Sequence, residues 1–171
     1  MINKKQNYLF LCIIAALLVC SKFAAAVPQN GFGIEGGLIG ASADGSQSNG
    51  LSLGMDAQLV VNDNWSLNPY LMLSLEQNSS AQKMSDGLAG LSIRRWFDEW
   101  FVGGHVFEHD LIVFENGTVQ TSSYGIGSGL QVGFELANGW GAELQADMFE
   151  STISKGVQRN AIRAHLTYRW H

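Results

Sequence analysis

Few residues in this 171-residue chain have the chemistry of a catalytic or metal-binding centre, and they are scattered. The four histidines are His105, His109, His165 and His171. His109 stands in the run Glu108-His109-Asp110, and Ser122 and Ser123 follow in the same polar stretch. A hydrolase needs a nucleophile, a base and an orienting acid within hydrogen-bond reach. These residue types occur here, but no strand-like segment carries an adjacent His-Ser pair. Glu108-His109-Asp110 has metal-ligating types at a spacing common in any solvated acidic loop. Both cysteines, Cys12 and Cys20, lie in the first 26 residues. No catalytic residue, metal site or cofactor is therefore assigned.

A second group of charged residues is more ordered. Glu35, Asp56, Glu76, Arg94, Glu135, Glu143, Asp147, Arg163, His165 and Arg169 all fall within segments where apolar and other residues alternate. Leu51, Leu53, Met55, Ala57, Leu59 and Val61 alternate with Ser52, Gly54, Asp56 and Gln58. Tyr124, Ile126, Leu130, Val132, Phe134 and Leu136 alternate with Gly125, Gly127, Gly129, Gln131, Gly133 and Glu135. Ala142, Leu144, Ala146 and Met148 alternate with Glu143, Gln145 and Asp147. Ile162, Ala164, Leu166, Tyr168 and Trp170 alternate with Arg163, His165, Thr167 and Arg169. Period two means a strand with one apolar face. Phe32 to Ala43, Leu67 to Glu76, Leu88 to Phe97 and Trp100 to Phe107 follow the same pattern less cleanly. The total is eight strands with nothing helical between them.

The connections alternate in length. Asn62-Asp63-Asn64, Asp98-Glu99 and Asn138-Gly139 are short and rich in residues that tolerate tight turns. Asp44 to Gly50, Gln77 to Asp86, Glu108 to Ser123 and Glu150 to Asn160 are long and polar. Trp65, Trp96, Trp100, Trp140 and Trp170 each lie beside a short turn or near the C-terminus. In an up-and-down barrel all five fall at one end, where indole rings form a girdle at a membrane–water interface.

The chain begins with a secretory signature. Lys4 and Lys5 precede the apolar run Tyr8 to Val19, and Ala24-Ala25-Ala26 supplies small residues for cleavage. Residues 1–26 read as a cleavable signal peptide and 27–171 as one domain. Val19 precedes Cys20 where a lipoprotein signal carries a small residue, which argues against acylation. After Ala26, seven basic residues face 15 acidic ones, a balance unsuited to nucleic acid. No later apolar run is long enough for a membrane helix.

Alternation alone does not say which face meets water. Dense glycine opposite the apolar face argues for an interior, because a solvated strand face gains nothing from glycine. Long charged groups fit beside it and pair across the lumen, with Arg94, Arg163 and Arg169 expected to bind some of Glu35, Asp56, Glu135 and Glu143. The apolar face then meets hydrocarbon, the reverse of a soluble barrel. The fold class is all-β: an eight-stranded antiparallel up-and-down transmembrane β-barrel.

On these features, and on the ending Ala164-His165-Leu166-Thr167-Tyr168-Arg169-Trp170, the chain resembles the small outer-membrane barrels of the OmpA/OmpX type. The resemblance covers nearly the whole mature chain, with no segment left over for a peptidoglycan-binding domain. Members usually end on an aromatic residue, a signal for the barrel assembly machinery; here His171 follows Trp170. The resemblance implies an integral protein of the bacterial outer membrane with both termini periplasmic. It implies outer-membrane lipid, lipopolysaccharide and the assembly machinery as partners, with an unidentified extracellular ligand. It also implies a non-enzymatic structural or surface role: adhesion, envelope integrity or resistance to host defences. Leu111, Ile112, Val113 and Phe114 in the third long connection are the candidate surface contact; an extension of strand five is the other reading. The alternatives are an enzyme that modifies lipid A and a small pore, although open porins have about sixteen strands or more. A closed barrel should migrate differently on a detergent gel before and after boiling; identical bands would contradict closure.

Overall fold

The computed structural model describes residues 28–43, 46–115, 118–150 and 158–171. The expected signal peptide at 1–26 lies outside the described residues, as does most of the connection after Glu150. Eight strands follow in chain order: β1 (Gly31–Ala43), β2 (Ser46–Asn62), β3 (Trp65–Asn78), β4 (Lys83–Phe97), β5 (Trp100–Glu115), β6 (Thr118–Glu135), β7 (Trp140–Glu150) and β8 (Gln158–Trp170). Each runs antiparallel to the next, and β1 also pairs with β8, from Phe32 opposite Trp170 to Ala43 opposite Arg159. The sheet therefore closes into a barrel without an unpaired edge.

At one end the turns are tight. Asp98 and Gly139 adopt left-handed φ values of 57° and 85°, which Asp and Gly tolerate at low cost. Asn62 Oδ1 accepts the Asn64 N–H at 3.0 Å, and Asn138 Oδ1 accepts the Trp140 N–H at 3.2 Å. At the other end the strands run further than composition suggested. β3 and β4 consume most of the segment from Gln77 to Asp86, leaving a turn whose Asn78 Oδ1 accepts from the N–H groups of Ser80 and Gln82 at 3.0 Å each. Ala81 takes a φ of 63° there.

The stretch from Glu108 to Ser123 is corrected in the same way. Leu111, Ile112, Val113 and Phe114 are half-buried strand residues of β5, with Leu111 opposite Asp86 on β4 and Ser123 on β6. Of the two readings given for them, this is the extension of strand five. Pairing satisfies the backbone whether or not the side chains are apolar. A hairpin rich in Ser, Thr and Gly thus continues past the apolar belt.

The two faces have opposite polarity. Leu130, Phe32, Ile126 and Leu53 point outward and are 71%, 71%, 70% and 67% exposed. Arg163, Asp86 and Gln58 point inward and are 0% exposed. Glycine makes room for the inward groups: a Cβ on Gly127 would collide with the Phe107 ring, and one on Gly133 with the Phe101 ring. With hydrocarbon around the outward face, Leu130→Arg should cost about 2–4 kcal/mol and Ser122→Arg, outward near the far end, about 0–1 kcal/mol. Denaturant unfolding from lipid vesicles reads both, and equal costs would contradict the depth dependence.

Candidate functional site: the charged lumen

Inward positions from all eight strands build a buried ionic column. Near the short turns, Arg169 on β8 donates through Nε to Glu135 at 2.9 Å and through Nη2 to Asp56 at 2.8 Å. Arg94 on β4 donates through Nη2 to Glu143 at 2.9 Å, with Nη1 3.4 Å from the same Asp56. Asn68 holds Asp56 and Gln58 together at 3.1 and 3.2 Å. With its amide nitrogen toward Glu143 at 2.8 Å, Gln131 accepts from Arg94 Nε at 3.0 Å and from Ser92 Oγ at 3.2 Å. His171, after the last strand, lies 3.3 Å from Glu135.

Further along, His165 places Nδ1 3.0 Å from Glu35 and Nε2 2.6 Å from Ser52 Oγ. His105 Nε2 lies 2.6 Å from Asp147, which also meets Arg163. The sequence paired Arg163 with one of four other carboxylates; its partner is Asp147, two residues from Gln145, which faces Arg163 in the β7–β8 register. Glu35 rests against a histidine rather than an arginine.

An apolar layer follows, which alternation of charge and glycine had not revealed. Ile39, Ala41, Tyr70, Met72, Leu88, Phe107, Phe149 and Ala161 form one buried cluster inside the barrel. On β5 Phe107 stands between His105 and His109; on β3 Tyr70 and Met72 stand between Asn68 and Glu76.

Beyond it lies a second ionic group. Arg159 contacts Glu76 and lies 3.2 Å from Asp86; Ser48 Oγ donates to Glu76 at 2.6 Å; His109 Nδ1 is 3.7 Å from Asp86. Arg159, Asp86 and His109 were missed by sequence because each fell in a polar stretch read as loop. The signal for Arg159 and Asp86 was parity with the recognised inward residues Arg163 and Arg94; His109 shares the parity of His105, itself an inward residue that the sequence reading did not assign. Neither group is fully hydrogen-bonded: in the first, Arg163 Nε and Nη2 and His105 Nδ1 have no hydrogen-bond partner among the described residues. In the second, Ser74 Oγ and both ring nitrogens of His109 have no hydrogen-bond partner among the described residues.

Burying a charge costs several kcal/mol unless a counter-charge and hydrogen bonds meet it. Here four arginines contact six carboxylates, and the seventh, Glu35, meets His165. The column therefore fills and ties the lumen.

It does not assemble the other candidate chemistry. Strand alternation sends Glu108 and Asp110 outward and His109 inward, so the three do not converge. Ser122 is exposed and outward, whereas Ser123 is buried.

The tryptophans divide. Trp65, Trp100, Trp140 and Trp170 face outward at the short-turn end and are 36–54% exposed. Trp96 is a correction: it is 2% exposed and points inward, donating through Nε1 to Ser66 Oγ at 2.9 Å and packing on Phe101 at 4.9 Å between ring centroids. It shares the parity of Arg94, two residues earlier, so it closes the lumen floor instead of joining the girdle.

An eight-stranded closed antiparallel sheet has known counterparts. The fold is that of the small outer-membrane barrels. Neisserial surface protein A aligns with a TM-score of 0.62 at 13% identity, covering 85% of this chain and 99% of that one. Ail, the attachment invasion locus protein of Yersinia pestis, aligns at 0.60 and 10% identity, covering 82% and 97%. OprG of Pseudomonas aeruginosa aligns at 0.52 and 11%, covering 87% and 98%. No family model and no curated protein sequence matches the chain. Such low identities reach the outer-membrane barrel fold alone.

Within this fold Arg94→Met leaves the buried Glu143 without its cation, while Asp56 keeps Arg169, and should cost about 3–5 kcal/mol. Trp96→Phe loses one hydrogen bond and should cost about 1 kcal/mol. Urea unfolding in micelles measures both. A milder effect at Arg94 than at Trp96 would remove the ion pairs as the lumen's organising contacts.

Proposed function

We propose that the chain is an integral outer-membrane protein with a non-enzymatic structural or surface-interaction role. The observation that carries this reading is the inverted polarity: a continuous outward belt of Leu, Ile, Val, Phe and Met around a charged interior. In water that belt would be a large exposed apolar surface; in a bilayer it is matched. The outward ring of Trp65, Trp100, Trp140 and Trp170 suits one lipid–water boundary.

In this reading both termini and the short turns are periplasmic and the long-loop end is extracellular. Outer-membrane lipid and lipopolysaccharide surround the belt, and the assembly machinery reads β8. The lumen is a strut rather than a channel, since ion pairs and an apolar layer occupy it. His109 faces that lumen, turned away from any substrate held in the surrounding leaflet, which supports a role without catalysis.

One similar structure is Ail in complex with the heparin analogue sucrose octasulfate. The present chain, with its excess of acidic residues, favours a neutral or cationic surface ligand over a sulfated one. Adhesion, envelope integrity and defence against host factors all remain within this role.

An epitope inserted at Ser80, in the β3–β4 turn, should be labelled by antibody on intact Gram-negative cells. The same epitope at Asp63 should be labelled only after permeabilisation. The opposite pattern would overturn the orientation, and recovery of the protein in the soluble periplasmic fraction would overturn the membrane reading.

A further inference from the structure

The outward belt is not uniform. On its short-turn side a groove of about 600 Å³ crosses β4 to β7, a size within the range of about 300–1,000 Å³ typical of small-molecule sites. In register, Ile93, Gly104, Leu130 and Ala146 form one row across it, with Val102 and Val132 in the next row toward the short turns. Gly104 and Ala146 are the low positions of that row, on either side of the projecting Leu130, with Ile93 beyond Gly104.

At the mouth of the groove stands Arg95. It lies two residues before the end of β4 and faces outward, unlike its neighbours Arg94 and Trp96. Trp65, opposite it on β3, and Phe97 hold the guanidinium at 5.7 and 5.1 Å from their ring centroids. Such contacts fix a cation's position without neutralising it. Arg95 makes no ion pair with any described residue, although Asp63, Asp98 and Glu99 lie in the adjoining turns. Among the described residues, every other arginine is inside the barrel with a carboxylate partner.

We infer that this is a binding site for one membrane glycerophospholipid, its phosphodiester on Arg95 and one acyl chain in the groove over Gly104 and Ala146. The inference rests on the membrane reading above and adds a defined ligand to it. Charge decides the occupant. The site offers a single uncompensated cation at the polar rim and, beyond it, outward side chains that are all apolar or small, the lining Gln131 and Gln145 being turned into the lumen. A guanidinium holds a phosphodiester, as it does a carboxylate, in a bidentate manner; the phosphodiester is the anion that membrane glycerophospholipids bring to this rim, and an acyl chain is what the remainder of the groove accepts. A second copy of this chain would bring to the groove the same apolar belt and, at the rim, the same cation.

The geometry supplies variants that do not disturb the interior. A Cβ at Gly104 meets nothing closer than 3.6 Å, so Gly104→Leu fills the groove from outside. Ala146→Leu does the same from β7. Gly87, in a separate outward groove that includes Tyr124 and Leu73, has nothing within 4 Å of an added Cβ and serves as the control.

The test is native mass spectrometry of the detergent-solubilised protein after incubation with dioleoyl phosphatidylglycerol. The wild type should carry one lipid. Arg95→Gln, Gly104→Leu and Ala146→Leu should each weaken its retention about tenfold. Gly87→Leu should retain it, and sn-glycerol 3-phosphate should not displace it. Wild-type retention by Arg95→Gln, or by both groove-filling variants, overturns the inference. So does equal loss in Gly87→Leu, displacement by glycerol phosphate, or a protein dimer in place of the lipid adduct. The boiled-versus-unboiled gel separates this from failure of the membrane reading: a folded wild type without bound lipid removes only the present inference.

Discussion

Moving a guanidinium group from water into a protein interior costs several kcal/mol, and this barrel does so at Arg94, Arg159, Arg163 and Arg169. The rest of the structure follows from how that cost is met. The carboxylates that answer these arginines come from β2, β3, β4, β6 and β7, so the network is satisfied only when the sheet is closed. Glycine at 127, 129 and 133 clears the space into which Phe107, His105 and Phe101 project. The apolar side chains, excluded from the charged interior, have only the outside to occupy. Inverted polarity and closure are thus two aspects of one electrostatic requirement.

Much of this was legible in the sequence because period two is a strong constraint. Once Leu130 is assigned outward, Gln131, Gly133 and Glu135 follow inward, and the same logic places Asp56, Glu143, Arg163 and Arg169. The misreadings came where residue type was allowed to override parity. Trp96 looked like its four fellow tryptophans, yet it shares a face with Arg94. The Asp86, His109 and Arg159 positions looked like loop because they fall in polar stretches rich in Ser, Gly, Asn and Gln. Those residues lower strand propensity, but hairpin pairing already established by β4, β5 and β6 overrides it. The internal apolar layer was hidden for a different reason: Tyr70, Met72, Leu88 and Phe107 lie on inward positions, and composition alone does not tell an inward methionine from an outward one.

The two ends of the lumen are not equivalent. Near the short turns, arginines, amides and Trp96 form a dense hydrogen-bonded floor. Toward the long loops, Arg159, Glu76, Asp86 and His109 sit above the apolar layer. The short-turn end also carries the outward indoles and the solitary cation Arg95. Outward aromatic and cationic groups are concentrated there, while the opposite end consists of extended polar hairpins suited to variation.

The pairing of β1 with β8 joins the first and last described strands of the chain, and the ionic column crosses the same seam. Arg159, Arg163, His165 and Arg169 all reside on β8. A polypeptide broken off before that strand would hold its full complement of interior carboxylates and, of the four buried arginines, Arg94 alone. Mutual repulsion among those acids would keep the sheet open and its backbone unpaired, a form that hydrocarbon rejects. The final strand therefore acts as a completeness check: only a whole molecule is electrically fit to enter a membrane.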